Sequence, residues 1–566
     1  MDIKSKIIDC FSKEIREQFA LEASSILVPP NTDMGDYCLA CFAYSKQLQK
    51  SPQLVAQDLL SGFDFSGVVE KTQVVGGYLN FFLNKEIVSS LVTKEILKRG
   101  ESFGQKDLGH GDVVCIDFSS VNLAKHMHIG HFCTTVIGNV IRNLYNHFGY
   151  KTVAINYVGD YGTPWGKMVR AYELWGDEKE LGERGVDYIQ DLYIRFCKEA
   201  SEDDGSLDEQ AREVFAKIEN HDEKYEPIYK RLLGYSIKGV EEIYDMLGIT
   251  FDSWRGEAYY SGKMGPIIEE LKSKHLLQES EGAMVVDLSD YKLGVSLILK
   301  SDGSTLYITR DLTACDDRFA NYHFAKSLYV TDVSQRLHFG QLFKIMELLG
   351  RPYSKGLEHI YYGRVRLPEG KIASRLGKQA LCRDILNYSL EKTRQIVAEN
   401  VNLSDKEKEN VVRAVGTGAA IFSVIKNERI KDMVFDLDKA IDFEGDTAPY
   451  IQYTRARCCS IESKAGAAKT DFAFDYSQIA SDASFALIKE LNRFEDVTLS
   501  ALKNHEPSLI CRQLVEISKA FNKFYASSRV IDEGKVQATR LSLVTCTKNI
   551  LTAGLKLLGI QSVDKM

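Results

Sequence analysis

The sequence predicts an α/β fold: a parallel-sheet domain split by helical insertions, with a smaller α+β unit before it and an all-helical bundle after it. Three observations carry this. Strand and helix patterns alternate through short Gly-bearing loops between residues 113 and 166, as in a parallel sheet with crossover helices. From about 170 to 300 the alternation gives way to long, charged, mostly helical stretches, the mark of an insertion. After residue 380 nearly all apolar residues recur at helical spacing.

A chain of 566 residues exceeds one core, and the units fall at 1–108, 109–380 and 381–566. The first opens with MDIKSKIIDCFSKEIREQF, an amphipathic helix without the apolar core and cleavage site of a secretory leader. GDYCLACFAYSKQLQKSPQLVAQDLL reads as a helix pair and VVGGYLNFFL as a short strand. KRGESFGQKDLGHGD is a Gly-rich, charged linker. VVCIDFSS is a buried strand and HIGHFCTTVIGNVIRNLYNHFG a helix; KTVAINYVGDYGTPWG gives a second strand and loop. Strand pattern resumes in STLYITRDL, SLYVTDV and HIYYGRVRL. In the last unit Leu514, Ile517, Phe521 and Phe524 mark one buried helix face.

Composition is that of a globular chain, 44% hydrophobic and 27% charged. No apolar run is long enough to span a bilayer, so a cytoplasmic protein with no membrane partner is expected. Twelve cysteines with a single C-x-x-C, Cys38 and Cys41, predict neither a disulfide scaffold nor a metal site. The net charge of −8 excludes a protein that coats nucleic acid indiscriminately. Residues 451–566 nevertheless carry 16 Lys/Arg against 12 Asp/Glu, a weak hint of an RNA-facing tail.

The strongest local feature is His128-Ile129-Gly130-His131, where a strand ends and a helix begins. A helix N-terminus presents unpaired N–H groups and partial positive charge to a phosphate. Two imidazoles there can donate hydrogen bonds as charge builds on phosphate oxygens. Gly130 lets a nucleotide base approach the backbone. A zinc pair lacks the adjacent Glu and third ligand of a metalloprotease; structural histidines and a chance tetrapeptide stay open on these four residues alone.

The flanks narrow the reading. Asp117-Phe118-Ser119-Ser120-Val121-Asn122-Leu123-Ala124-Lys125-His126-Met127 resembles the segment before the HIGH motif in arginyl-tRNA synthetases, with Val121 and His126 in place of two prolines. Gly370-Lys371-Ile372-Ala373-Ser374-Arg375-Leu376-Gly377 is similar to that family's degenerate KMSKS loop. The blocks at 159–166, 306–312, 334–350 and 443–461, the ending at Met566, and GDY (35–37) and GGYLNFF (76–82) carry the likeness over essentially the whole chain.

The resemblance implies a class I Rossmann-type catalytic domain, an N-terminal tRNA-elbow domain and an anticodon-binding bundle. It implies catalysis by His128, His131, Lys125, Lys371, Ser374 and Arg375, with ATP held by His128, Gly130, His131 and Lys371. Arginine would be bound by Asp117, Ser120, Asn122, Tyr307, Asp311 and Gln335. Tyr307 and Asp311 would take the guanidinium, a planar, always-charged fork that needs carboxylates and neutral acceptors. tRNA(Arg) would meet Asn80, Phe82, Tyr450, Tyr525 and Met566. ATP would arrive with Mg2+, no structural metal is implied, the enzyme would act as a monomer, and activation would itself require bound tRNA. The alternatives are a paralogue that keeps the fold without charging tRNA, suggested by Val121, His126, Ala373 and Pro164-Trp165, and a nucleotidyltransferase acting on another substrate.

Overall fold

The computed structural model describes residues 2–31, 34–301, 307–366, 380–399, 403–466, 474–532 and 535–566. The N-terminal unit is a four-stranded antiparallel sheet in the order Ile26–Leu27, Tyr37–Ala40, Tyr78–Leu83, Val69–Val75, with short helices against it. Two expectations change here. VVGGYLNFFL is the turn and second strand of a hairpin. The helix pair (Phe42–Leu48, Pro52–Leu60) is preceded by a strand, Tyr37–Ala40, because this segment pairs with Tyr78–Leu83, placing Cys38 opposite Asn80. Cys38 therefore lies in a strand, not in the expected helix pair.

The sheet of the second unit is parallel throughout, in the order Leu357–Tyr362, Lys326–Asp332, Val113–Asp117, Lys151–Ile155. Val113–Asp117, the first strand of this sheet in chain order, is thus internal, and its neighbours lead away in opposite directions. Loops leaving the carboxyl ends of Val113–Asp117 and Lys326–Asp332 diverge and open a crevice, the usual ligand position in such sheets. The helix Ile129–His147 packs along the sheet over Phe118, which is fully buried. A Cβ on Gly138 would come within 2.3 Å of that ring, so only glycine permits this approach.

The insertion contains the helices Val186–Glu202 and Tyr225–Leu247, as expected, and also a three-stranded antiparallel sheet, Gln278–Ser280, Ala283–Asp287 and Val295–Leu299, which was not. STLYITRDL is not a strand where it is described: Tyr307–Tyr322 is a helix. Its short β-branched run mimics a strand, but Ile308, Leu312 and Cys315 are buried at spacings of four and three, one helical face.

The C-terminal bundle is built from Cys382–Ala398, Asp405–Ile425, Ala448–Ala465, Asp482–Asn504, Ser508–Ser527 and Ala538–Leu557. Leu514, Ile517, Phe521 and Phe524 are each fully buried, as their spacing predicts. Burial of one such side chain stabilises the fold by roughly 1.5–3 kcal/mol. Among the described residues no helix is long and apolar enough to cross a membrane.

Candidate active site and RNA-facing surfaces

His128 is the N-cap of the helix Ile129–His147, and His131 is its third residue. The Gly130 N–H donates to Nδ1 of His128 at 3.1 Å, and the His128 N–H donates to Nδ1 of His131 at 3.3 Å. The rings lie 4.0 Å apart. A backbone N–H can only donate, so Nδ1 of each ring is unprotonated and the proton of the neutral ring sits on Nε2. Burial keeps both imidazoles neutral: His128 is lowered, with the Lys125 charge adding to the effect, and His131 falls to about 3. A Cβ on Gly130 would meet the His128 ring at 2.9 Å, so this glycine also leaves room for the capping imidazole.

The rings line a cleft of about 710 Å³ together with Ser120, Thr134, Asp332, Gln335 and Tyr362. It opens at the switch point of the sheet. The Tyr362 hydroxyl donates to the Gly130 carbonyl at 3.1 Å, fixing the end of the outer strand to the tetrapeptide. Ile129 N–H donates to Ala380 and Cys382 N–H to Met127, both at 2.9 Å. Lys371, Ser374 and Arg375 lie outside the described residues, but the flanks of that segment, Tyr362–Arg366 and Ala380–Cys382, border this cleft or bond to its edge.

The loop after Asp117 is contorted. Ser119 and Ser120 both take left-handed backbone conformations, φ +71° and +46°, uncommon for residues with a Cβ. The Ser119 hydroxyl lies 2.6 Å from that of Tyr244 and accepts from Thr135 at 2.7 Å. Asp117 is buried and already engaged: Ser120 Oγ donates to one oxygen at 2.6 Å and Arg318 to the other at 2.6 Å. Arg318 is itself 3% exposed. Asp117 was expected to hold substrate directly; instead most of its hydrogen-bonding capacity and charge are met from within the protein. Asn122 is exposed, and its side chain accepts from Ala124 N–H at 3.0 Å. Lys125 is exposed and makes no ion pair among the described residues.

Tyr307 and Asp311 lie one helical turn apart on Tyr307–Tyr322, Tyr307 being 66% exposed. His338 Nε2 is 2.7 Å from Asp311. Gln335 caps the helix that carries His338. A second carboxylate joins Asp311: Glu257, paired with Arg310 at 3.3 Å. Burial, with Asp311 and Asp160 nearby, raises Glu257 to about 7 despite the pull of Arg310. Glu257, Arg318 and His338 were not singled out from sequence. His338 lay inside the 334–350 block and could have been; Glu257 and Arg318 are lone charges in helical stretches with no local signal.

The RNA expectations divide. Asn80 is buried at 1% exposure within its strand, with its side-chain amide nitrogen unpartnered among the described residues. Phe82 is partly exposed beside Lys71. In the bundle a cavity of about 1470 Å³ is lined by Tyr453, Arg455, Arg457, Tyr525, Arg529 and Met566. The Arg457 guanidinium lies 4.9 Å from the Tyr453 ring centre and 5.8 Å from that of Tyr525. Arg457 donates to Asn522, which donates to the Tyr450 hydroxyl, so Tyr450 sits behind the cavity wall. Arg455 binds Asp564 and the Val563 carbonyl, pinning the C-terminal segment.

Comparison with known proteins agrees along the whole chain. Family models match as the arginyl-tRNA synthetase N-terminal domain at residues 2–83, the class I (R) tRNA synthetase catalytic domain at 92–437, and the DALR anticodon-binding domain at 451–566. The arginine–tRNA ligases of Halothermothrix orenii and Clostridioides difficile are 42% and 40% identical, each alignment covering 100% of both chains. The fold superposes on Thermus thermophilus arginyl-tRNA synthetase with a TM-score of 0.80 at 24% identity, covering 98% of each chain. With a family model over residues 92–437 and relatives about 40% identical along the full length, the chain belongs to the class I arginyl-tRNA synthetase family.

Proposed function

We propose that the chain is an arginine–tRNA ligase whose two imidazoles act as neutral Nε2–H donors to the α-phosphate of ATP. The observation that carries this is the pair of backbone N–H bonds into Nδ1 of His128 and His131, which fixes both tautomers at the mouth of the cleft. An arginine carboxylate oxygen attacks the α-phosphorus, the bond to the β-phosphate oxygen breaks, and pyrophosphate leaves. Charge grows on the α-phosphate oxygens, where His128, His131 and the helix N-terminus stabilise it. Lys125 and Lys371 supply cations to the departing pyrophosphate, with Ser374 and Arg375 beside them. The terminal adenosine 2′-hydroxyl of tRNA(Arg) then attacks the carbonyl and AMP leaves.

Asp311, Tyr307 and Glu257 receive the guanidinium. Asn122, Ser120 and Gln335 face the α-amino and carboxylate end, with Asp117 acting through Ser120 and Arg318. Mg2+ enters with ATP and offsets its phosphate charge. Phe82, Tyr525 and Met566 meet the tRNA, with Tyr450 supporting the Arg457 side. The enzyme works as a monomer in the cytoplasm, where ATP and tRNA are found together.

The test is ATP–pyrophosphate exchange and charging with a tRNA(Arg) transcript. Charging with arginine, and exchange only when tRNA is present, is the expected result. Exchange equally fast without tRNA removes the tRNA requirement. Absence of charging with normal nucleotide binding would make the chain a non-charging paralogue.

A further inference from the structure

The loop that carries Lys125 has no proline to stiffen it, yet three tethers hold it. Gly159 N–H donates to the Val121 carbonyl at 2.9 Å, and Leu123 N–H donates back to the Gly159 carbonyl at 3.2 Å. Val121 itself is 1% exposed. Gln190, buried on the insertion helix Val186–Glu202, donates its side-chain N–H to the Ala124 carbonyl at 2.8 Å. Three residues earlier on the same helix, Asp187 lies 3.6 Å from Nε2 of His126. The same carboxylate accepts from Arg383 at 3.0 and 3.2 Å. Arg383 follows the Ala380–Cys382 stretch that bonds to Met127 and Ile129.

One helix of the insertion therefore hydrogen-bonds the residue before Lys125 and sets a carboxylate 3.6 Å from the ring of the residue after it. Through Arg383 it also grips the chain that returns to the signature tetrapeptide. A small pocket of about 230 Å³, lined by Lys125, His126, Asp187, Gly239 and Arg383, lies within this junction. Lys125 lines this pocket rather than the 710 Å³ cleft; Asp187 shares the pocket, and Gln190 lines neither.

We propose that Asp187 and Gln190 are positioning residues for pyrophosphate release. They hold the Ala124 carbonyl and the His126 ring on either side of Lys125, and so set where its ammonium, which makes no ion pair among the described residues, meets the leaving group. The inference rests on the catalytic role of Lys125 proposed above. A misplacement on the order of 1 Å costs up to about a hundredfold in rate, so loosening one of these contacts should cost about tenfold.

The experiment is ATP–pyrophosphate exchange with saturating arginine and tRNA on Lys125→Ala, Asp187→Asn, Gln190→Leu and the doubles Lys125→Ala/Asp187→Asn and Lys125→Ala/Gln190→Leu. The single positioning variants should lose about tenfold in kcat while the KM for arginine moves less than about twofold. In the Lys125→Ala background each should add less than about twofold, because a residue that acts through Lys125 has nothing left to position. Losses that multiply in the doubles, or single variants with wild-type kcat, overturn the inference. A wild-type rate for Lys125→Ala instead overturns the role of Lys125, and the two failures are told apart by that one variant. His126→Pro, placed in the Asp187→Asn protein, supplies stiffness of another kind by restricting residue 125. It should recover kcat at least about threefold, and no recovery in a protein that melts normally also overturns the inference.

Discussion

The His128 N–H donates to Nδ1 of His131 across 3.3 Å, so one imidazole closes the helix start on which the other sits as the cap. Each ring is at once part of a capping box and part of the cleft wall. The two roles can be separated because they use opposite nitrogens.

His131→Asn keeps an acceptor for the His128 N–H but shortens the reach of the donor. It should lower kcat for exchange by about 10²–10³, with Tm within a degree or two of wild type. His131→Ala should lose comparable activity and in addition about 1 kcal/mol of stability, seen in urea unfolding. Equal unfolding midpoints for the two variants would contradict the capping role.

Acid should weaken the fold through the same residue. The folded pKa of His131, about 3, lies below the ordinary histidine value of 6.5, so its stabilising contribution is complete above 6.5 and fades as pH falls toward 3. His131→Asn should show a shallower loss of Tm between pH 6.5 and 4 than wild type, by calorimetry.

Glu257 has the opposite sign. Its folded pKa, about 7, is above the ordinary 4.5, so its contribution to stability is full below 4.5 and is lost as pH rises through 7. Glu257→Gln should therefore raise Tm at pH 8. Guanidinium binding needs the carboxylate, so the KM for arginine should rise about tenfold per unit as pH falls below 7, a one-proton slope. Glu257→Gln should bind arginine weakly at every pH with that slope gone; a retained slope assigns the proton elsewhere.

The Asp117–Arg318 pair is buried at both ends. Removing one partner leaves an uncompensated charge, so Arg318→Met should cost about 3–5 kcal/mol in urea unfolding. Adding Asp117→Asn to it should restore part of that loss. Restored stability without restored exchange activity would show the pair shaping the turn at Ser119–Ser120.

Arg455 holds the C-terminal segment through Asp564 and Val563. Asp564→Asn should loosen that segment and with it Met566 at the cavity rim, raising the KM for tRNA about two- to fivefold, in line with the roughly 0.5–1 kcal/mol of an ion pair whose carboxylate is exposed. Exchange at saturating tRNA should be unchanged. An altered kcat with unaltered tRNA KM would place the effect in the catalytic domain instead.

The parts of this protein legible in sequence were those whose chemistry is local. His128 to His131, the strand at Val113–Asp117 and the face formed by Leu514, Ile517, Phe521 and Phe524 are each set by neighbours within a turn or two. The burial of Asn80 was not legible because it depends on what packs on that face of the sheet, and nothing within GGYLNFF reveals it. Tyr307–Tyr322 was misread because a nine-residue window caught a β-branched run and missed the longer helical period. Glu257 and Arg318 depend on where a 130-residue insertion returns to the sheet, which is a property of tertiary packing. Asp187 and Gln190 belong to the same class.

The left-handed turn at Ser119 and Ser120 has an evolutionary reading. Two such conformations in residues with a Cβ store on the order of 1–3 kcal/mol each. Tyr244, Thr135 and Asp117 hold the chain there. Glycine at either position would relax the backbone but delete the hydroxyl that holds it, orphaning buried partners at a cost of about 1–3 kcal/mol that cancels the gain. Lineages of this enzyme pressed toward higher temperature would therefore find no easy stabilising change here, and tightening is expected to accumulate in the bundle instead.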